Sequence, residues 1–441
     1  MSNAKNIAFV FIVGSWMLLQ SCSVSKQIHK QAQKILLQDT VINTGHIGIS
    51  IYDPATNTYL YNYNADKYFV PASNVKLFTL YAGMKYLGDS LVGLRYKDSV
   101  EEGSEFVTII QSTGDPTFLH SEFTNQPVLK FLKSKNKVSW YRTHLAPFGK
   151  GWAWDDYQEP YMRPNSEFPM YNNLIRFTWV NMDSVAVFPP FFTSITKKLW
   201  PFEAVYRYGF ETFNFLGENE IGILPGDKKN QVIPFPTNFT NTRGLLNDTL
   251  KNLTFYDAPG PYKQTGLKVI HSQPTDSLLT PMMHNSDNFF GEQTLLMVSN
   301  EYLGHMNDDA IIDTLLKADL KDIPQQPKWV DGSGLSRYNL FTPQSFVYIL
   351  DKMKNEFGLE RLKTILPTGG EGTLKNYYNS DSGFIYAKTG SLSNQITLSG
   401  FLITKKNKLL AFSILANNVV GDGWKVRRAY EQFLKKIREQ Y

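Results

Sequence analysis

The middle of this chain does not read like its ends, and that break constrains the fold more than any single residue. Near the start, the alternating runs Ile47-Gly48-Ile49-Ser50-Ile51 and Tyr59-Leu60-Tyr61-Asn62-Tyr63 flank Pro54-Ala55-Thr56-Asn57, which predicts a β-hairpin. A short amphipathic helix carrying Ile28, Ala32, Ile35 and Leu36 is expected before it. Pro71 precedes an apolar-periodic stretch, Val75, Leu77, Phe78, Leu80, Tyr81 and Met84, so a helix should begin near Ala72 or Ser73. From about 91 to 270 the pattern changes to short β-like runs such as Phe106-Val107-Thr108-Ile109-Ile110, separated by loops rich in Pro, Asn, Gly and aromatics, with no long helix expected. Helical periodicity returns at 288–303 and again after Thr342-Pro343, a good N-cap and first-turn pair. Strand-like runs at 384–389, 396–404 and 408–416 follow, then a final helix with Trp424, Tyr430, Phe433, Leu434 and Ile437 on one side. The expected fold is α/β (α+β): residues 45–90 and 271–441 make an antiparallel sheet flanked by helices, and 91–270 form an inserted β-rich region.

Composition narrows the class. A hydrophobic fraction of 42% with 19% charged residues excludes a disordered chain and a coiled coil. The net charge of +5 is dilute over 441 residues and its signs are interspersed, so no nucleic-acid partner is expected. The single cysteine, Cys22, excludes an intrachain disulfide and a cysteine zinc site. Residues 1–22 read as a leader: Lys5 is followed by a run of 13 mostly apolar residues from Ile7 to Leu19, a signal-peptide core shorter than the about 20 residues a membrane span needs. The run ends in Leu19-Gln20-Ser21-Cys22, which resembles a bacterial lipoprotein box. That implies a lipid anchor at Cys22, with the mature chain at the periplasmic face of the cell envelope.

Three short motifs carry the chemistry. Ser73-Asn74-Val75-Lys76 is an S-x-x-K at an expected helix start, Ser286-Asp287-Asn288 an S-x-N in a helix-rich segment, and Lys388-Thr389-Gly390 the one K-T-G, on the first late strand. S-x-x-K recurs at Ser2, Ser23, Ser134 and Ser194, so it is the order of the three and the element beneath each that give the set meaning. A serine hydroxyl needs a base to become a nucleophile, and on a helix Lys76 shares a face with Ser73. Lys76 must be neutral to act, which burial and a second cation, Lys388, would favour. Ser286 is the expected proton relay to the leaving group, and Asn288 an amide that holds the substrate backbone. The strand at Lys388 should pair with an extended peptide, Lys388 and Thr389 binding a terminal carboxylate and Gly390 allowing close approach. The backbone N–H groups of Ser73 and Ser391 are the expected oxyanion hole.

This trio, in this order, is shared by penicillin-binding proteins and class A β-lactamases. The chain is more specifically similar to the class C low-molecular-mass penicillin-binding proteins, the D-alanyl-D-alanine carboxypeptidase/endopeptidases of peptidase family S13. The likeness rests on Pro71-Ala72-Ser73-Asn74-Val75-Lys76-Leu77, His284-Asn285-Ser286-Asp287-Asn288 and Lys388-Thr389-Gly390-Ser391-Leu392-Ser393. It also rests on Gly114-Asp115-Pro116-Thr117, Gly151-Trp152-Ala153-Trp154-Asp155-Asp156 and Asp331-Gly332-Ser333-Gly334-Leu335-Ser336-Arg337. The resemblance implies a β-lactamase/transpeptidase-like catalytic domain, peptidoglycan stem peptides as substrates, and β-lactams as inhibitors. It implies further that Asp156 and Arg337 grip the amino and carboxyl ends of a diaminopimelate side chain. The aromatic-rich stretch from 157 to 240 departs from the family pattern and leaves the preferred stem peptide open.

Two other readings share the motifs: a β-lactamase, and a non-catalytic β-lactam or cell-wall binding protein on the same fold. The long gap between Ser73 and Ser286, and the lack of a nearby segment supplying a deacylating glutamate, count against the first; five intact site residues count against the second. No G-x-S-x-G elbow accompanies the seven histidines, and no H-E-x-x-H or P-loop spacing occurs, so neither a metal nor a cofactor is expected.

Overall fold

The computed structural model describes residues 24–100, 106–143, 145–181, 184–198, 212–214, 221–223, 230–235, 237–258 and 266–441; the 1–22 leader and Cys22 lie outside them. The early hairpin is β1 (His46–Asp53) and β2 (Thr58–Tyr63), and the late runs are β3 (Ile385–Leu392), β4 (Gln395–Ile403) and β5 (Leu409–Asn417). They form one antiparallel sheet of order β3-β4-β5-β1-β2, with Ile49 opposite Ile414 and Lys388 opposite Ser399. A lone two-stranded hairpin is marginal in water, so the first strands borrow stability from the last.

Helices cover both faces, as expected of the α/β class. One face packs on α1 (Lys76–Tyr86), α2 (Thr275–His284), α3 (Asn288–Leu303) and α4 (Pro343–Phe357) through a core including Phe78, Phe290, Phe346, Phe401 and Leu415. The other packs on the N-terminal helix and α5 (Gly423–Gln440) through Ile28, Leu36, Ile49, Ile414 and Phe433. The alternation in β1 therefore has a different cause from a solvated face. Gly48 and Ser50 are as buried as their apolar neighbours, and a Cβ on Gly48 would sit 2.5 Å from Phe69 Cε2. Ser50 Oγ donates to Asn62 Oδ1 at 2.8 Å, which satisfies its hydroxyl inside the sheet.

Two expectations fail locally. Trp424 does not join the buried side of α5: it is 52% exposed, with the Arg428 guanidinium 5.4 Å from its ring centre. The insertion does contain a long helix, Phe239–Leu250, capped by the Asn238 side chain, which accepts from Asn241 N. Its sequence hides it, because Thr, Asn and Gly are poor helix formers and its buried leucines fall only in the second half.

The rest of the inserted region is mostly β. Ser90–Val100, Phe106–Ser112, Lys137–Tyr141, Thr254–Asp257 and Lys268–Pro274 make a second five-stranded sheet, accompanied by two three-stranded ones. A separate core of Leu94, Ile110, Trp140, Phe177, Phe192 and Phe255 holds it together.

Candidate active site

Ser73 lies on a 3₁₀ turn, Ala72–Val75, that leads into α1. Ala72 has a φ of +49°, a left-handed conformation that L-residues avoid, so something must hold the turn. The loop 331–337 does: a Cβ on Gly334 (φ +87°) would meet the Ala72 carbonyl oxygen at 2.0 Å. On the other side, Thr397 Oγ1 donates to Pro71 O at 2.8 Å and is bonded by Asn74 Nδ2.

Lys76 is fully buried, and its Nζ lies 3.2 Å from Ser73 Oγ, 2.7 Å from Asn288 Oδ1 and 2.6 Å from Ser333 O. The last two oxygens only accept. When the amine is neutral they take its two hydrogens, and its lone pair is left facing the Ser73 hydroxyl. Burial lowers the Lys76 pKa to about 8, against the raising pull of Glu292, Asp331 and Asp287, with Arg163 adding to the lowering. Lys388 is held well below the ordinary lysine value by burial first and by Lys76 second. The repulsion between the two buried amines is shared by the pair, and Arg163 is a further cation that lowers Lys76.

The Ser333 carbonyl is fixed from below. Asp331 is buried and accepts from Gly334 N at 2.9 Å, Ser336 N at 2.6 Å, Asn339 Nδ2 at 2.7 Å and Trp152 Nε1 at 3.0 Å. Glu292, one turn beyond Asn288 on α3, accepts from Ser333 N at 2.8 Å and Gly332 N at 3.1 Å. Burial, with the Asp331 charge beside it, holds the Glu292 pKa above the usual carboxylate range.

The second serine has its own lysine. Ser286, between the C-cap of α2 and the N-cap of α3, has a φ of +56°. Lys388 Nζ donates to Ser286 Oγ at 2.7 Å and to Thr389 O at 2.8 Å. Asn288 is engaged at both ends of its amide: Oδ1 accepts from Lys76 and Nδ2 donates to Tyr161 O at 3.0 Å, which leaves one N–H and one lone pair unused by these two bonds.

β3 is an edge strand, as the motif required. Its outer side is covered at Ala387, whose N–H donates to Pro367 O at 3.1 Å; from Lys388 onward no backbone partner occurs there among the described residues. Gly390 is required by the protein's own turn, because a Cβ there would meet Thr397 Oγ1 at 2.1 Å and Pro71 O at 2.7 Å. Thr389 is outside the cleft lining and borders a separate small void with Tyr378 and Arg427. Ser391 Oγ accepts from Arg427 Nη2 at 2.6 Å.

A cleft of about 260 Å³ collects Ser73, Ser286, Asn288, Ser391, Asp156 and Arg337 from the sequence-derived set. Asp156 accepts the Tyr161 hydroxyl at 2.7 Å, and Arg337 is exposed at the rim, its backbone N–H donating to Gly151 O at 3.0 Å. Sequence reasoning missed Tyr161, Arg163 and Glu292. Glu292 stands four residues after Asn288, a helical spacing that could have found it, whereas Arg163 lies in a loop with no periodicity to mark it. His284, beside the second motif, does not line the cleft. Among the described residues no cluster of His, Cys, Asp and Glu could hold a metal ion.

The model of the D-Ala-D-Ala carboxypeptidase 3 (S13) family matches residues 28–187 and 251–437. The D-alanyl-D-alanine carboxypeptidase DacB of Haemophilus influenzae is 23% identical over 415 residues, 84% of each chain. Carboxypeptidase DacB of Mycolicibacterium smegmatis is 28% identical over 166 residues, which span 35% of this chain and 36% of that protein. Among solved structures, penicillin binding protein 4 (dacB) of H. influenzae superposes with a TM-score of 0.71 at 20% identity, covering 93% of this chain and 98% of that one. That likeness speaks for the fold, and the family match spans most of the chain. The chain belongs to the D-Ala-D-Ala carboxypeptidase 3 (S13) family and is a serine-type DD-peptidase of the low-molecular-mass penicillin-binding group.

Proposed function

We propose that Ser73 is the nucleophile, Lys76 its base, and Ser286 with Lys388 the relay that protonates the leaving amine. Neutral Lys76 takes the Ser73 proton as Oγ attacks the carbonyl of the penultimate D-Ala in a peptidoglycan stem peptide. The tetrahedral oxyanion is received by the backbone N–H groups of Ser73 and Ser391. The C–N bond breaks, the D-amino product leaves with a proton delivered through Ser286 Oγ, and water hydrolyses the Ser73 ester. The observation that carries this reading is the three-point hold on Lys76 Nζ, which aims its lone pair at Ser73.

The open edge of β3 from Lys388 suits an extended substrate added as a sixth strand. Asp156 and Arg337 at the cleft suit the amino and carboxyl ends of a diaminopimelate side chain, in a free terminus (carboxypeptidase) or a cross-link (endopeptidase). Residues 45–90 with 271–441 act as the catalytic domain, and 91–270 flank its groove. β-Lactams acylate Ser73 and dwell there: Asp156 is the one carboxylate among the described cleft-lining residues, and the substrate role given to it leaves no second one for deacylation, which disfavours the β-lactamase reading. Cys22 is the lipidated first residue of the mature chain at the periplasmic face; no described helix is long and apolar enough to cross a membrane. The direct test is release of D-Ala from a peptide ending in D-Ala-D-Ala. Release by the parent and none by Ser73→Ala is expected; equal release by both would refute the assignment.

A further inference from the structure

One short piece of the inserted region touches the second motif at both residues that follow Ser286. Arg163 is 6% exposed, and its Nη2 donates to Asp287 Oδ1 at 2.7 Å, while its Nη1 bonds Asn172 Oδ1. Its guanidinium lies 5.1 Å from the Phe289 ring centre. Two residues earlier, the Tyr161 carbonyl accepts from Asn288 Nδ2 at 3.0 Å. Three residues later, Ser166 and Gln293 bond each other twice: Ser166 N donates to Gln293 Oε1 at 3.0 Å, and Gln293 Nε2 donates to Ser166 O at 2.7 Å. Gln293 is fully buried, and the same Nε2 also reaches Gly114 O at 2.7 Å.

These contacts bear on the reagents. A carbonyl at Tyr161 can only accept, so it turns the Asn288 amide with Nδ2 outward and Oδ1 toward Lys76. Were the amide flipped, two donors would face each other at Lys76. Asp287 caps α3 through Phe290 N and is held ionised; burial opposes its charge, and Arg163 with the cap more than offsets that. The residue before it, Ser286, is kept left-handed without being glycine. Fixing Asp287 from one side and Asn288 from another leaves Ser286 little freedom to relax.

We propose that Arg163, with the Tyr161 backbone, is a positioning device supplied by the insertion: it holds Ser286-Asp287-Asn288 so that Ser286 meets Lys388 and Asn288 orients Lys76. Arg163 touches no reacting atom. The proposal rests on Ser73 being the nucleophile and Lys76 the base. The groups facing Lys76 are Glu292 and Asp287 on or at the cap of α3, Asp331 on the adjoining loop, Arg163 from the insertion, and Lys388 from β3.

The test is the rate of Ser73 acylation by benzylpenicillin between pH 6 and 10 in the full mature chain, for the parent, Arg163→Ala, Arg163→Lys and Asp287→Asn. Arg163→Ala is expected to acylate about 30-fold more slowly. The rise of its rate with pH should also move to higher pH, because a cation that helps keep Lys76 neutral is gone. Arg163→Lys keeps the charge, so its profile should stay at the parental pH with an intermediate rate. Asp287→Asn retains a cap acceptor and should fold even if Arg163→Ala does not; its profile should move to lower pH, with a rate about tenfold down. A melting-temperature drop in Arg163→Ala with acylation within twofold of the parent at every pH would overturn the proposal, as would a parental profile and rate in Asp287→Asn. A parent that takes no label at Ser73 would instead overturn the functional reading beneath it, and the proposal with it.

Discussion

The central sheet and the inserted region are built on different terms. In the sheet, β1, β4 and β5 are buried along nearly their whole length, and helices press on both faces. Of the polar side chains buried in or against it, Thr397, Lys388, Asn74 and Lys76 belong to the site or brace it, while Ser50 and the Ser399–Ser413 pair are satisfied within the sheet. In the insertion, Val185–Phe188 alternates between half-buried and exposed positions, and the core is a cluster rich in aromatics, none of whose residues lines the cleft. What crosses between them includes polar contacts, Arg163 to Asp287, Gln293 to Gly114 and Ser166, Trp152 to Asp331, Ser336 Oγ to Lys150 O and Arg95 to Glu301, and ring contacts of His120 and Phe123 with Phe290. The insertion's residues in these contacts all precede 187, where the first family-matched segment ends, and none of the described residues in the unmatched 188–250 lines the cleft. The comparison teaches that the contacts holding the second motif come from the family-matched part of the insertion before 187.

The largest effect should come from the reagent itself. Lys76→Ala is expected to slow acylation by roughly 10²–10⁴-fold, the usual worth of a positioned base. In the parent the acylation rate should climb with pH through about 8, since Lys76 is the base only when neutral, and about a tenth of it is neutral at pH 7. A stopped-flow pH profile checks the sign, and a rate that falls as pH rises from 6 to 8 would contradict it. Next comes the brace on Ser73. Gly334→Ala puts a side chain on a left-handed backbone and against the Ala72 carbonyl, so a loss of about 1–3 kcal/mol in denaturant unfolding and a slower acylation should appear together. The smallest effect on chemistry is expected in the insertion's own core. Phe192→Ala should lower stability by about 3–5 kcal/mol yet leave acylation within threefold below its melting point. A matching loss of acylation there would erase the distinction drawn between the two regions.

How much of this could be read from the chain follows the same division. Ser73, Lys76, Ser286, Asn288 and Lys388 were readable because three short motifs in a telling order mark them, each on or beside a helix or strand. The helix at 288–303 appears at those bounds, and Thr342 caps α4 through Ser345 N at 3.0 Å. Residues whose meaning depends on what folds against them were read in part or missed. Gly390 read as room for substrate also makes room for Pro71, and Asn288 read as a substrate ligand also holds Lys76. Arg163 and the Tyr161 carbonyl could not be found at all, since a loop contact across 124 residues to Asp287 leaves no local pattern. The helix Phe239–Leu250 escaped because its stability comes from burying Leu245, Leu246 and Leu250 rather than from propensity.

The central claim is that Ser73 is made nucleophilic by a buried, neutral Lys76 and is acylated. Its most direct test is intact-mass spectrometry of residues 23–441 after benzylpenicillin, followed over hours, with peptide mapping. The account predicts one drug-sized adduct per chain, persistent, confined to the peptide bearing Ser73 and absent from Ser73→Ala. An adduct retained in Ser73→Ala would contradict it. So would drug consumed without an adduct, the behaviour of a β-lactamase, or drug left intact with the protein unlabelled, the behaviour of a protein that only binds.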